Sequence, residues 1–289
     1  MLLRIPPVPT LLITIAAMIA FAANSLLCRL ALSNGAIDAG NFTLLRLLSG
    51  ALTLAIIAFL TRRPIGLRSD WRFSIQAGLA LFGYAIFFSF AYLELSTGTG
   101  ALLLFGSVQL TLLAVYRWQG NRFTAQELCG VIVSLLGFVW LMAPAASRPD
   151  PLAALLMIVS GLSWAAFTLL GKQAQSPQKA ITQGFIVAAA LSLLTLPWLL
   201  LSSSLSLQGI VLATTSGALA SALGYILWYI AVARISLLQA SVSQLAVPVI
   251  ALLLGALWLG EAITLLNITT SALVLGGIAL VFVARSKKV

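Results

Sequence analysis

Histidine is absent from this chain of 289 residues, and there are only two cysteines and six acids. Without histidine, the commonest metal ligand and the usual general base near neutral pH are missing. Cys28 and Cys129 are too few for a disulfide framework, and both fall in apolar stretches, where they read as small packing residues. Charge is scarce as well: 8% of the residues carry one, and 61% are hydrophobic. A soluble domain carries about 25% charged residues, so a water-soluble fold is excluded. No metal-ligand cluster, nucleotide loop or catalytic triad appears. The expectation is therefore a polytopic membrane protein that is not an enzyme and holds neither cofactor nor metal.

What is there is a series of long apolar runs. A bilayer-spanning helix needs roughly 20 predominantly apolar residues. Ten segments qualify, giving an all-α membrane fold. They run from Pro9 to Ala31, Asn41 to Leu60, Phe73 to Ala91, Ser96 to Tyr116 and Ala125 to Met142, then from Leu152 to Gly171, Thr182 to Leu201, Leu207 to Ala231, Leu237 to Trp258 and Leu265 to Ala284. Short connections such as "LSNGAIDAGN" and "MAPAASRPDP" carry the Gly, Pro, Asn and Asp of turns. The first segment is longer than a signal-peptide core and ends without a small-residue cleavage site, so it reads as a retained helix.

The formal net charge of +10 does not point to nucleic acid, because its placement explains it. With the N-terminus inside, Arg29 and Arg148 fall at outer ends and Arg46 lies within the second helix. The other thirteen basic residues, from Arg4 to Lys288, fall inside. Such a split places both termini in the cytoplasm of an inner-membrane protein.

The chain also repeats itself. "FAANSLLCR" (Phe21 to Arg29) matches "WAAFTLLGK" (Trp164 to Lys172) at a shift of 143. At a shift of 140, "RWQGNRFT" meets "LWLGEAIT". Trp118 then pairs with Trp258, Gly120 with Gly260, Thr124 with Thr264, Gly137 with Gly277, Ala91 with Ala231 and Ser96 with Ser236. Residues 1–145 and 146–289 thus form two five-helix repeats. Five is odd, so the second repeat enters from the opposite side. Inverted repeats are a hallmark of secondary transporters.

These phrases carry a resemblance. The whole chain resembles the drug/metabolite transporter superfamily, of the EamA type with ten helices. "FTLLRLLSGA" on helix two is similar to that family's Arg-containing pattern. "RISLLQASVSQLAVPVIALLLGALWLGEAIT" is similar to its helix nine, with a mid-helix Pro followed by Gly-Glu. The first repeat departs from the second, with Val108 opposite Pro248 and Asn121 opposite Glu261. The resemblance implies export of small metabolites, often amino acids. It also implies a cavity between the halves lined by helices one, three, four, six, eight and nine.

All six acids (Asp38, Asp70, Glu94, Glu127, Asp150, Glu261) fall at or near helix ends, which disfavours a carboxylate-based proton relay. Deep polar residues are mostly uncharged. Asn24, Gln109, Ser243 and Gln244 are candidates for substrate contact, with Tyr84, Trp164 and Tyr225 as aromatic wall. Each polar one competes with a role as helix glue, at only about 0.6 kcal/mol. Pro248 removes a backbone donor, so a kink near Gln244 is expected to free carbonyls toward a cavity. Trp228 and Tyr229 read as an interfacial belt. Ser216, Ala220 and Gly224, four apart, read as a packing face rather than as site. Arg46 lies roughly 7.5 Å inside helix two, close enough to snorkel to the outer surface. It reads either as a cation for a substrate carboxylate or as a pin between helix ends, and the resemblance favours gating or structural use, as for Pro248.

The combined reading is an alternating-access exporter of small amphipathic metabolites, amino acids first, whose partners are that solute and the lipid bilayer. A nucleotide-sugar or other phosphorylated-metabolite carrier is the second reading, but it would need several cations in the cavity. An intramembrane enzyme ranks last.

Overall fold

The computed structural model describes residues 10–33, 35–62, 71–201, 204–260 and 262–286. Asp70 and Glu261 lie outside them, as do Arg4, Arg63, Arg68, Lys287 and Lys288. The described chain is a bundle of ten helical rods. The first six are α1 (Thr10–Ser33), α2 (Ala39–Leu60), α3 (Trp71–Ala91), α4 (Thr97–Trp118), α5 (Ala125–Met142) and α6 (Pro151–Gln173).

The other four rods are less regular. The seventh is α7 (Pro177–Ser192), continued by a 3-10 turn (Leu193–Thr195) and α8 (Leu196–Leu201). Pro197 offers no N–H to the Leu193 carbonyl, which takes that of Leu196 instead and tightens the turn. α9 (Leu207–Thr215), a π-helical segment (Ser216–Leu223) and α10 (Gly224–Arg234) form the eighth. The ninth breaks between α11 (Leu237–Ser243) and α12 (Ala246–Leu259), and the tenth is α13 (Leu265–Ser286). Among the described residues nine rods are long and apolar enough on their own to cross a membrane, and the interrupted seventh does not qualify by itself. The outer surface agrees with a lipid solvent, for Trp118 (90% exposed), Leu201 and Phe59 stand outward.

Helix starts are set by local chemistry. Asp38, Ser96, Thr124, Asp150, Ser206 and Ser236 each accept a backbone N–H three residues on, satisfying donors that the first turn leaves unpaired. Thr264 does the same for Asn267. The described acids other than Glu94 are accounted for here: Asp38 and Asp150 are caps, and Glu127 closes a capping box with Thr124.

The matched phrases hold matching backbone roles. Ser96 and Ser236 cap α4 and α11, and Thr124 and Thr264 cap α5 and α13. Gly120 and Gly260 both turn through left-handed backbone, at φ +81° and +67°. Packing follows the same rule. The first rod packs on the eighth and ninth, and the sixth on the third and fourth. The second packs on the seventh and eighth, the third also on the seventh, and the fifth on the tenth. Exchanging rod n with rod n + 5 returns this pattern. Between α5 and α13 the rule holds to the residue: a Cβ on Gly130 would sit 2.7 Å from the Gly277 carbonyl, and one on Gly137 would sit 3.1 Å from that of Thr270. A shift of 140 carries the first contact onto the second.

Candidate functional site

A small, partly open cavity lies among rods one, three, four, six, eight and nine. Its walls are Phe21, Asn24 and Ser25 from α1, Tyr84 and Phe88 from α3, Leu104 and Phe105 from α4, Trp164 from α6, Tyr225 from α10 and Val247 from α12. The free volume is about 20 Å³, room for about one water, so the cavity is contracted.

Trp164 sits at its centre. The indole ring lies 4.7 Å from Tyr84, 5.0 Å from Tyr225 and 5.2 Å from Phe21, centroid to centroid, in tilted and edge-on pairs that aromatic quadrupoles favour. Its Nε1–H donates to Gln244 Oε1 at 2.5 Å. Gln244 Nε2 donates in turn to the Ala240 carbonyl at 3.0 Å. The break in the ninth rod therefore occurs where Pro248 leads to it, but the carbonyls of Ala240 and Gln244 are taken. The Gln244 side chain takes that of Ala240, and the Val247 N–H takes that of Gln244 at 3.1 Å. Gln244 is a prop behind Trp164 rather than a wall of the cavity.

Asn24 lines the cavity and is 2% exposed. Its Oδ1 accepts from Ser216 Oγ at 2.6 Å and, more weakly, from Ser221 Oγ at 3.4 Å, leaving the amide nitrogen without a hydrogen bond to the described protein. The π segment makes this double contact possible. Residues five apart on an α-helix are turned roughly 140° from one another. Hydrogen bonds closed at i+5 bring them back toward one line. Reading Ser216, Ala220 and Gly224 as one small face assumed α-helical spacing. All three are nevertheless buried, and a Cβ on Gly224 would meet Ala20 Cβ at 2.6 Å, so the face does take a close neighbour; Ser216 also bonds a wall residue, and a second close approach falls at Gly217, where a Cβ would meet the Arg46 carbonyl at 2.1 Å.

Arg46 is fully buried. The snorkelling geometry is not adopted, because α2 packs against α7 and the π segment, and the side chain turns inward between them. Nε donates to Ser221 Oγ at 3.0 Å and Nη2 to the Tyr225 hydroxyl at 2.6 Å. The guanidinium carbon lies 5.3 Å from the centre of the Tyr84 ring. Nη1 makes no hydrogen bond. No described carboxylate pairs with this cation.

Four of the seven expected contact residues, Asn24, Tyr84, Trp164 and Tyr225, thus share one cavity. Ser243 does not line it. Ser243 bonds the Gln239 carbonyl and faces a separate apolar groove between α1, α12 and α13. Gln109 is buried with neither amide atom hydrogen-bonded, and it too is not a wall residue. The belt reading of Trp228 and Tyr229 fails, since both are fully buried. Trp228 Nε1 donates to Thr168 Oγ1 at 3.3 Å and the Tyr229 hydroxyl to the Phe167 carbonyl at 2.9 Å. Lys172 Nζ adds bonds to the carbonyls of Val232 and Ile235, at 3.2 and 2.6 Å. These contacts tie α6 to α10 and to the residue that follows it. The wall residues missing from the expected set are Phe21, Ser25, Phe88, Leu104, Phe105 and Val247, and of these Phe21 was marked by its match to Trp164 across the repeat.

A sequence model of the EamA-like transporter family matches residues 8–143 and 151–283. An uncharacterized protein of Pseudomonas aeruginosa is 47% identical over 96% of this chain and 95% of its own length. A probable terminal-alkyne amino-acid exporter of Streptantibioticus cattleyicolor is 23% identical, over 83% of this chain and 82% of its own. A protein of known crystal structure has the same fold, with TM-score 0.82 at 20% identity, covering 95% of this chain and 97% of its own.

Proposed function

The chain belongs to the EamA-like transporter family, and we propose that it exports small amphipathic metabolites, amino acids first, across the inner membrane. The observation that carries this reading is the cavity. Aromatic faces and a neutral amide from both halves converge there, with no described acid and one cation behind the wall. Such a lining suits an apolar side chain joined to a compact polar head. The similarity to a probable amino-acid exporter supports the same class. A phosphorylated solute fits less well, because one guanidinium is a poor match for a doubly charged phosphate.

The motion is alternating access. Halves whose packing survives exchange can close either end by equivalent contacts. The α6–α10 contacts of Lys172 would close the cytoplasmic side, on the reading of the basic-residue distribution that also puts both termini there. The contracted volume means that Tyr84 and Trp164 must separate before a solute enters.

Counterflow in liposomes tests this. Purified protein loaded with unlabelled amino acids should accumulate labelled leucine or phenylalanine transiently and release it chemically unchanged. Product formation without flux would instead reveal an enzyme.

A further inference from the structure

Arg46 holds a charge that nothing in the described protein balances. We propose that it is the carboxylate anchor of the transported solute, so that a carboxylate is required for transport. This rests on the reading of the aromatic cavity as the transport site.

A guanidinium stays protonated under all ordinary conditions. Burying one without a counterion is strongly unfavourable, and neutral hydroxyls orient the group without cancelling its charge. Ser221 and Tyr225 do that orienting, through Nε and Nη2. Nη1 is left over, fully buried and unbonded. If the side chain served only to pin α2 to the eighth rod, a neutral pair would do so without the charge. Tyr225 accepts from Nη2 and shares a hydroxyl hydrogen bond with Tyr84, a bond that opens when these two walls part and leaves a hydroxyl for a solute. Both rings that Arg46 touches, Tyr84 and Tyr225, are cavity walls. Once those walls part, a carboxylate can take the Tyr225 O–H and the outer face of the guanidinium, the paired geometry that arginine suits best. The aromatic faces of Trp164 and Tyr84 then remain for an apolar side chain or an ammonium. A cation lacking a carboxylate meets a like charge instead.

The carboxylate belongs equally to zwitterionic amino acids and to plain monocarboxylates, and a matched series separates them. Phenylalanine, 3-phenylpropionate, phenylalanine amide and phenethylamine would be compared for counterflow competition and for thermal stabilisation of the full chain. The acids should compete at least tenfold better than the amide and the amine. Arg46→Gln should weaken the acids roughly tenfold to a hundredfold without weakening the amide or the amine, which lose a like charge. Arg46→Lys should fall between. Competition by phenylpropionate alone keeps the anchor and removes amino acids as the substrate class. Equal competition by all four overturns the anchor and spares the export reading, as does unchanged acid affinity in Arg46→Gln. Silence from all four in wild-type protein overturns both. Should Arg46→Gln fail to insert, the wild-type series and Arg46→Lys still decide.

Discussion

Replacing Gln244 with leucine changes little volume but removes both ends of an amide that holds Trp164 in place. The indole N–H loses its acceptor at 2.5 Å, and the Ala240 carbonyl loses its donor at 3.0 Å. Each buried group left unsatisfied costs about 1–3 kcal/mol, so the substitution should destabilise the fold by roughly 2–6 kcal/mol. Part of that loss is felt at the cavity, because Trp164 contacts Phe21, Tyr84 and Tyr225 in the orientation that Gln244 fixes. A share of about 1.4 kcal/mol is a tenfold weaker apparent affinity. The two effects separate in a double-mutant cycle. Trp164→Phe removes the donor, so Gln244→Leu in that background should cost less, with a coupling energy of roughly 1–3 kcal/mol. Thermal unfolding in detergent and concentration-dependent counterflow measure the two quantities. Additive costs, or a Gln244→Leu protein with unchanged melting and affinity, would show that the bond to Trp164 carries no weight.

Glycine substitutions separate contact from conformation. At Gly217 a methyl group would stand 2.1 Å from the Arg46 carbonyl and 2.0 Å from Ser49 Oγ, whereas at Gly276 nothing lies within 4 Å. Gly217→Ala should therefore cost about 1–3 kcal/mol or block folding, and Gly276→Ala should melt near wild type. Because no described acid lines the cavity, flux should follow the solute gradient and respond little to an imposed pH gradient. Concentrative uptake driven by protons alone would contradict this and turn attention to Glu127 and Glu94. Both termini should report from the cytoplasm, and a tag at Val289 labelled only from outside would reverse the assigned topology.

Sequence alone determined the features that each segment settles by itself. A run of about twenty apolar residues must close its own backbone hydrogen bonds in lipid, so it is helical wherever it packs. Caps act within three residues, which is why Ser96, Thr124 and Asp150 set the starts of α4, α5 and α6 from local sequence. The repeat was legible too, because equal backbone roles at Gly120 and Gly260 require the same residue. Hydropathy, however, weighs a lipid-facing leucine and a partner-facing one alike, so the interior face of each helix stayed hidden. Only the tertiary structure decided that Arg46 turns inward, that Gln244 serves Trp164 and that Ser216 serves Asn24. Their partners stand 175, 80 and 192 residues away. The π register beside Asn24 stayed hidden as well, since it shifts which residues share a face without changing the composition of the helix. Helices form from local hydrogen bonding, whereas the cavity exists only where separate rods bring their polar atoms within hydrogen-bonding reach.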